Sequence, residues 1–372
     1  MTSRRCRAAA ALTLAVAAFV VQATPARADQ VRSSQWHLGY LNVAGAQRIS
    51  RGEGVTVAVI DSGVDPHPDL RRNLLPGTDF VGTSDGRIDQ TGHGTRMAGL
   101  VAAHGHGAGD GALGIAPSAK ILPVRYTDSE RIEVRENGVD RSVRWAVQHG
   151  AKVISISLGG GPDPGDRAAI EEALAANVVV VAGVGNRPSS RQVQFPAAYP
   201  GVLAVAAIGR DGAIAPMSVR GDQVMIAAPG VGIVSTSSSG EYRKATGTSD
   251  ATAIVAGAVA LVRSRFPNLS APEVVHRLTA TATDRGPKGR DNQYGYGVLN
   301  LVAALTADVP PLEADGSPPP GSPTAPTTTT VAAPDGNGGG RDVGALVGAV
   351  AVAALLGGGL VVLAVLRRRP GR

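Results

Sequence analysis

Residues 246–266 read TGTSDATAIVAGAVALVRSRF, and the fold follows from how Ser249 is interpreted there. The serine sits where a Gly-rich turn becomes a long apolar helix. Gly247 lets the chain bend tightly into that helix, and several residues after Ser249 are small enough for other backbone to approach closely. A helix N-terminus presents unpaired N–H groups and partial positive charge, which suits an alkoxide being formed or an oxyanion being held. Serine is equally a favoured N-cap, so this stretch alone admits a catalytic nucleophile or a cap. The choice between them lies upstream.

The run GVTVAVI at 54–60 is β-branched and apolar throughout, the pattern of a strand buried on both faces of a parallel sheet. Asp61 ends it, at the strand terminus where open α/β sheets place their sites, although aspartate also begins ordinary turns. At 92–95, GHGT leads into RMAGLVAA, so His93 falls in the first turn of a helix with glycines leaving its ring open on either side. Four other histidines, His37, His67, His149 and His276, read as surface, loop or helix-end residues. His104 and His106 lie in a Gly-rich loop without the ligand set expected of a metal site. That loop also holds Gly109, Gly111 and Gly114 at dinucleotide-fingerprint spacing, but no strand precedes it.

Strands are expected at 121–126, 152–157, 178–182, 202–208 and 224–228, with helices at 139–149 and 166–176 between them. Such alternation predicts one α/β domain, a mostly parallel sheet with helices on both faces.

The two ends have a different character. Arg4, Arg5 and Arg7 precede an apolar run from 8 to 21, and Ala26-Arg27-Ala28 offers a signal-peptidase site. The segment 343–366 holds 24 residues without a charge, followed by Arg367, Arg368 and Arg369. That predicts a C-terminal transmembrane helix with its arginine flank on the cytoplasmic side. Before it, 308–342 is rich in Pro, Thr, Ser and Gly and reads as a linker.

The formal charge of +6 is concentrated at these ends: the leader holds four arginines and the tail four more, leaving 28 basic against 30 acidic residues between. A body near −2 gives no electrostatic case for nucleic acid. The single cysteine, Cys6, falls in the leader, so the mature chain has no disulfide to stabilise it.

Asp61, His93 and Ser249 thus occur in the order acid, imidazole, nucleophile, the order of subtilisin-type triads, whereas an α/β-hydrolase has Ser before Asp before His. VAVIDSGVDPHPDL around Asp61, GHGTRMAGLVAA around His93, GALGIAPSAKILPVR, SISLGG and TGTSDATAIVAGAVALV resemble the subtilisin-like serine proteases across nearly the whole body. With the short arm, linker and terminal span, the resemblance narrows to the mycosins, membrane-anchored subtilases associated with type VII secretion in actinobacteria. It implies a subtilisin-like α/β fold and an extracellular serine endopeptidase in which Asp61, His93 and Ser249 are catalytic. Asn186 would supply an amide to the oxyanion hole alongside Ser249, its plainer reading being a turn residue with positive φ. Ser157, Leu158, Gly159 and Gly160 would pair with an extended substrate, or else form an ordinary strand-ending turn. No metal or cofactor is expected in the reaction.

Partners would be a protein or peptide substrate, the membrane through a single span, and a type VII secretion membrane complex. Alternatives are a structural scaffold of such a complex and a surface subtilase of broad specificity. Three departures mark a divergent branch: Ala253 stands where the family usually has proline, Asp250 follows the serine directly, and the disulfide cysteines of many members are missing. The expected organisation is signal peptide 1–28, N-terminal arm 29–53, protease domain 54–307, linker 308–342, transmembrane helix 343–366 and cytoplasmic tail 367–372. The arm is too short to fold as an independent inhibitory pro-domain.

Overall fold

Seven parallel strands carry the architecture. They are β1 (Thr56–Asp61), β2 (Thr78–Asp79), β3 (Lys120–Arg125), β4 (Val153–Ile156), β5 (Val179–Gly183), β6 (Leu203–Ile208) and β7 (Ile226–Pro229), arranged β2-β3-β1-β4-β5-β6-β7. The computed structural model describes residues 27–107, 109–128 and 139–312. The expected linker beyond residue 312, the transmembrane helix and the cytoplasmic tail lie outside the described residues, as does nearly all of the signal peptide. Among those described, no helix is long and apolar enough to cross a membrane.

Alternation within each strand divides the core in two. Val57 and Val59 of β1 face one cluster, while Ala58 and Ile60 face the other; β5 divides Val179 and Val181 from Val180 and Ala182 in the same way. The first cluster is covered by helices α4 (His93–Ala102), α7 (Thr248–Arg265), α8 (Ala271–Ala280) and α9 (Leu301–Thr306). The second is covered by α5 (Val139–Gln148) and α6 (Pro164–Ala175). Both faces are therefore buried, which explains why the strands read as unbroken apolar runs.

α7 is buried from Thr248 through Arg263 and packs against β4, β5, β6 and β7. Its small side chains permit this depth. A methyl group added at Gly257 would stand 2.7 Å from Cβ of Ile115.

The chain leaves β1 to place β3 on one side and then returns to place β4 on the other. β1 is thus the switch point of the sheet, and its C-terminal end opens on the crevice where doubly wound sheets hold their ligands. Asp61 is the last residue of that strand.

An antiparallel pair, β8 (Ile233–Thr236) with β9 (Tyr242–Ala245), stands apart from the sheet. The N-terminal arm forms α1 (Arg27–Ser34), α2 (Trp36–Tyr40) and α3 (Val43–Gln47). It is fastened by side chains to the backbone of the body: Gln35 to Leu113 and Val234, Trp36 Nε1 to Val231, Gln47 to Gly114 and Ile115, and Ser50 to Leu261.

Two histidines expected at surface, loop or helix-end positions are placed differently. His37 and His67 are buried, not superficial: the arm that carries the first is held against the body by Gln35 and Trp36, and β9 covers the second with Tyr242 at 5.0 Å between ring centres. His37 meets no hydrogen-bonding group among the described residues, and burial pulls its pKa down to about 3. The unfolded chain therefore binds a proton that the folded chain refuses between pH 6.5 and about 3. Stability should fall as pH drops through that window, by about 1.4 kcal/mol per pH unit at most. His37→Phe is expected to flatten this acid slope when unfolding midpoints are compared between pH 7 and 4; an unchanged slope would place the acid sensitivity elsewhere.

Candidate active site

Three element ends converge on the crevice beyond β1. Asp61 closes the strand, His93 opens α4, and Ser249 is the second residue of α7. The glycines flanking His93 act differently from the expectation that they leave the ring open. Gly92 is the helix N-cap with φ 77°, a conformation that favours glycine. Gly94 lets α4 lie against the preceding loop, since a methyl group there would stand 2.0 Å from the carbonyl oxygen of Gly63.

Nδ1 of His93 lies 2.7 Å from Oδ1 of Asp61, across 32 residues of sequence. The same oxygen accepts from the backbone N–H and the hydroxyl of Ser62. Asp61 is almost wholly buried, while the imidazole keeps 21% of its side-chain surface exposed. Burial by itself depresses the imidazole pKa, but the charge of Asp61 and the hydrogen bond to it outweigh that, and the net direction is upward.

Ser249 is not the cap of its helix. Gly247 holds the N-cap position, and the backbone N–H of Thr248 is satisfied instead by Oδ1 of Asn186 at 3.0 Å. The serine hydroxyl is directed to the carbonyl of Ser157 at 3.5 Å and makes no hydrogen bond to His93 in this arrangement. Rotation about one side-chain bond reorients such a hydroxyl, and catalytic contacts are commonly loose until substrate is bound.

Asn186 follows β5 in the crevice, and its φ is not positive: Gly185 takes that conformation, at 102°. Its carboxamide oxygen is bonded to both the N–H and the hydroxyl of Thr248. A carboxamide tied down through its oxygen presents its NH₂ at a fixed angle, beside the first turn of α7.

The 157–160 segment is shorter as a strand partner than the sequence suggested. Gly160 exchanges both of its backbone hydrogen bonds with Phe195, at 3.0 and 3.2 Å, so it has no pairing capacity left for a peptide. Ser157, Leu158 and Gly159 remain at the edge of the crevice.

The Phe195 bridge also brings in Gln194, which the sequence reading passed over. A Cβ on Gly159 would lie 2.3 Å from Oε1 of Gln194, and one on Gly185 would lie 2.6 Å from the same atom. The Gln194 carboxamide is therefore wedged between the two glycine-bearing walls of the crevice. No local pattern around VQFPAAY signals this.

Arg96 and Asp250 complete the surroundings. Arg96 Nε lies 3.4 Å from Oδ1 of Asp250, and their side chains are 10% and 0% exposed. Burial pushes the Asp250 pKa up, opposed by the charges of Arg96 and His93. No group of side chains among the described residues has the makings of a metal site. The His104/His106 loop does gain a carboxylate from outside itself, Asp69 bonding Nδ1 of His106.

Comparison with known proteins places the chain in a family. Residues 52–297 match the subtilase family. The chain is 37% identical to mycosin-3 of Mycobacterium tuberculosis, with 75% of this chain and 73% of that protein covered. It is also 37% identical to subtilisin DY of Bacillus licheniformis, covering 68% and 92%. A crystal structure of MycP1 with its N-terminal propeptide removed superposes with a TM-score of 0.66 at 34% identity, over 74% of this chain and 98% of that one. The structure of the MycP3 protease from the type VII (ESX-3) secretion system gives 0.64 at 36% identity, over 73% and 88%.

Proposed function

This chain belongs to the subtilase family and is a mycosin-like, subtilisin-like serine protease; we propose that Asp61, His93 and Ser249 are its catalytic residues and that it cuts proteins outside the cytoplasmic membrane. The observation that carries the site assignment is the 2.7 Å contact between Asp61 and Nδ1 of His93. With Nδ1–H donating to the carboxylate, Nε2 is left as the base. It takes the proton of Ser249 as the hydroxyl attacks a peptide carbonyl and later returns it to the leaving amine, while Asp61 orients the ring and stabilises its cation. The developing oxyanion lies between the backbone N–H of Ser249 and the Asn186 amide, both fixed before reaction begins.

Substrate binds extended along Ser157, Leu158 and Gly159, adding a strand by backbone pairing. The side chain preceding the cleaved bond then enters the gap between Gly159 and Gly185, where Gln194 already sits. Small residues should be preferred there. Gln194→Gly is expected to raise kcat/KM for a bulky aromatic at that position, relative to alanine, by roughly tenfold or more in a peptide library. An unchanged ratio would mean the gap is not the specificity pocket.

The setting rests on the charged leader, the small-residue cleavage site and the apolar 343–366 span with its arginine flank. They support an anchored enzyme with its catalytic domain outside and its C-terminus in the cytoplasm. The likeness to the MycP3 protease supports a role in type VII secretion. N-terminal sequencing should find the mature start at Asp29, and fractionation should find the protein in the membrane. Intact protein free in the medium would contradict the anchor.

Among the described residues, the arm's hydrogen bonds with the body involve Asp110, Gly111, Leu113, Gly114, Ile115, Ser118, Val231, Val234 and Leu261, and none reaches Asp61, His93, Asn186 or Ser249. The protein should accordingly react with a serine-directed fluorophosphonate as purified. Labelling that began only after cleavage near residue 50 would mean the arm is inhibitory.

A further inference from the structure

Asp250 is buried with no hydrogen bond from any other described residue. It is the third residue of α7, directly after Ser249, where the helix dipole favours an anion. Its side chain is fully enclosed, and neither carboxylate oxygen accepts a hydrogen bond from another residue among those described. Its nearest cation is Arg96, whose Nε at 3.4 Å also lacks a hydrogen bond. Arg96 stands three residues after His93 on α4, hence on the same helical face.

A buried ion pair stabilises a fold only when its geometry is good and further hydrogen bonds satisfy the remaining donors and acceptors. This one has a single long contact and no such support. Its charges are nevertheless felt at the site: the Asp250 carboxylate favours the His93 imidazolium and the Arg96 guanidinium opposes it.

The other charged groups around α4 are committed elsewhere. Asp89 accepts from Gly92, Thr91 and Thr95 in the first turn of α4, and Asp65 accepts from Asp89 and Ser239. From β3, Arg125 is paired with Asp79 and Lys120 with the carbonyl of Arg72. β8 brings no charged residue, β1 brings Asp61, and α7 brings Asp250. The imidazole is thus influenced by two acidic side chains, Asp61 and Asp250, and by one guanidinium, Arg96, whose effect is opposite to theirs.

We propose that Asp250 and Arg96 are a positioning charge pair for His93, Asp250 offsetting the cation of Arg96 so that the imidazole stays basic enough to accept the Ser249 proton near neutral pH. This rests on His93 being the base for Ser249. Loss of the carboxylate alone leaves an uncompensated cation beside the ring, which disfavours imidazolium and moves the acid limb of reactivity to lower pH. Loss of both charges restores the balance.

The test is the rate of fluorophosphonate labelling of Ser249 in the full chain, measured against pH. In Asp250→Asn the midpoint of the acid limb is expected about one pH unit lower, a roughly tenfold faster reaction at a fixed pH on that limb relative to the plateau. In Arg96→Met/Asp250→Asn it should return to within a few tenths of the unsubstituted value. Stability itself falls as pH drops, so the folded fraction of each variant is measured by circular dichroism across the same pH range and the labelling rate is divided by it before midpoints are compared. Should Asp250→Asn give no folded protein, Arg96→Gln alone carries the test, its midpoint moving upward as the Asp250 charge is freed. An unmoved midpoint accompanied by a lower melting temperature would reduce the pair to packing and overturn the proposal. If the unsubstituted protein is unlabelled at every pH, the protease reading itself fails, and the proposal with it.

Discussion

Replacing Ser249 by alanine is expected to abolish fluorophosphonate labelling and to reduce peptide hydrolysis by on the order of 10⁶-fold, the scale of losing a nucleophile that acts as a unit with its base. The fold should barely notice. Ser249 does not cap α7, and its hydroxyl makes only the 3.5 Å contact with Ser157, so the stability cost should stay below about 1 kcal/mol. Melting temperature and turnover of the purified variant measure the two quantities separately. Residual hydrolysis at a few per cent of the unsubstituted rate would sink Ser249 as nucleophile. Secretion that survived Ser249→Ala but was lost on deleting the whole chain would reveal a scaffold role beside the protease.

Removing the amide of Asn186 is expected to have the next largest effect, slowing kcat by roughly 10²- to 10³-fold with little change in KM, since the donor acts on charge that develops only in the transition state. The structure adds a second consequence. Because Oδ1 of Asn186 satisfies the N–H of Thr248, Asn186→Ala should also cost about 1 kcal/mol of stability, as losing a helix cap does. Asn186→Asp separates the two effects: it keeps the capping oxygen and so should recover the stability, but it replaces the donor with an anion and should leave turnover at least as low. If Asn186→Asp turned over peptide at the normal rate, the oxyanion assignment would be wrong whatever its stability.

Much of this fold is legible in local sequence. A strand buried on both faces must be apolar at every position, and VTVAVI, VVVVA and VLAVAAI satisfy that without any knowledge of their neighbours. Observed strands differ from the expected ones by one or two residues at their ends, where hydrogen bonding with a neighbour decides the boundary. Harder to read were the arm and the β8–β9 hairpin. Gln35, Trp36 and Gln47 hold the arm through backbone carbonyls 67 to 199 residues away, and a backbone carbonyl leaves no mark on the sequence that supplies it.

The catalytic assignment divides along the same line. Residue types and their order, Asp61 then His93 then Ser249, are properties of the chain itself, and they select the chemistry before any coordinate is known. The same holds for the placement of each at the end of a strand or in the first turn of a helix. Other features exist only once the crossovers have brought distant segments together. The Asp61–His93 contact, the diversion of Gly160 to Phe195, the Gln194 wedge, the Asn186 support of Thr248, the burial of His37 and the Arg96–Asp250 pair all join residues with no local pattern between them. The reason is physical: hydrophobic periodicity specifies which face of an element is buried, whereas the side chains that share one gap are chosen by how closely backbones can approach. That approach is set at points such as Gly94 against Gly63 and Gly257 against Ile115.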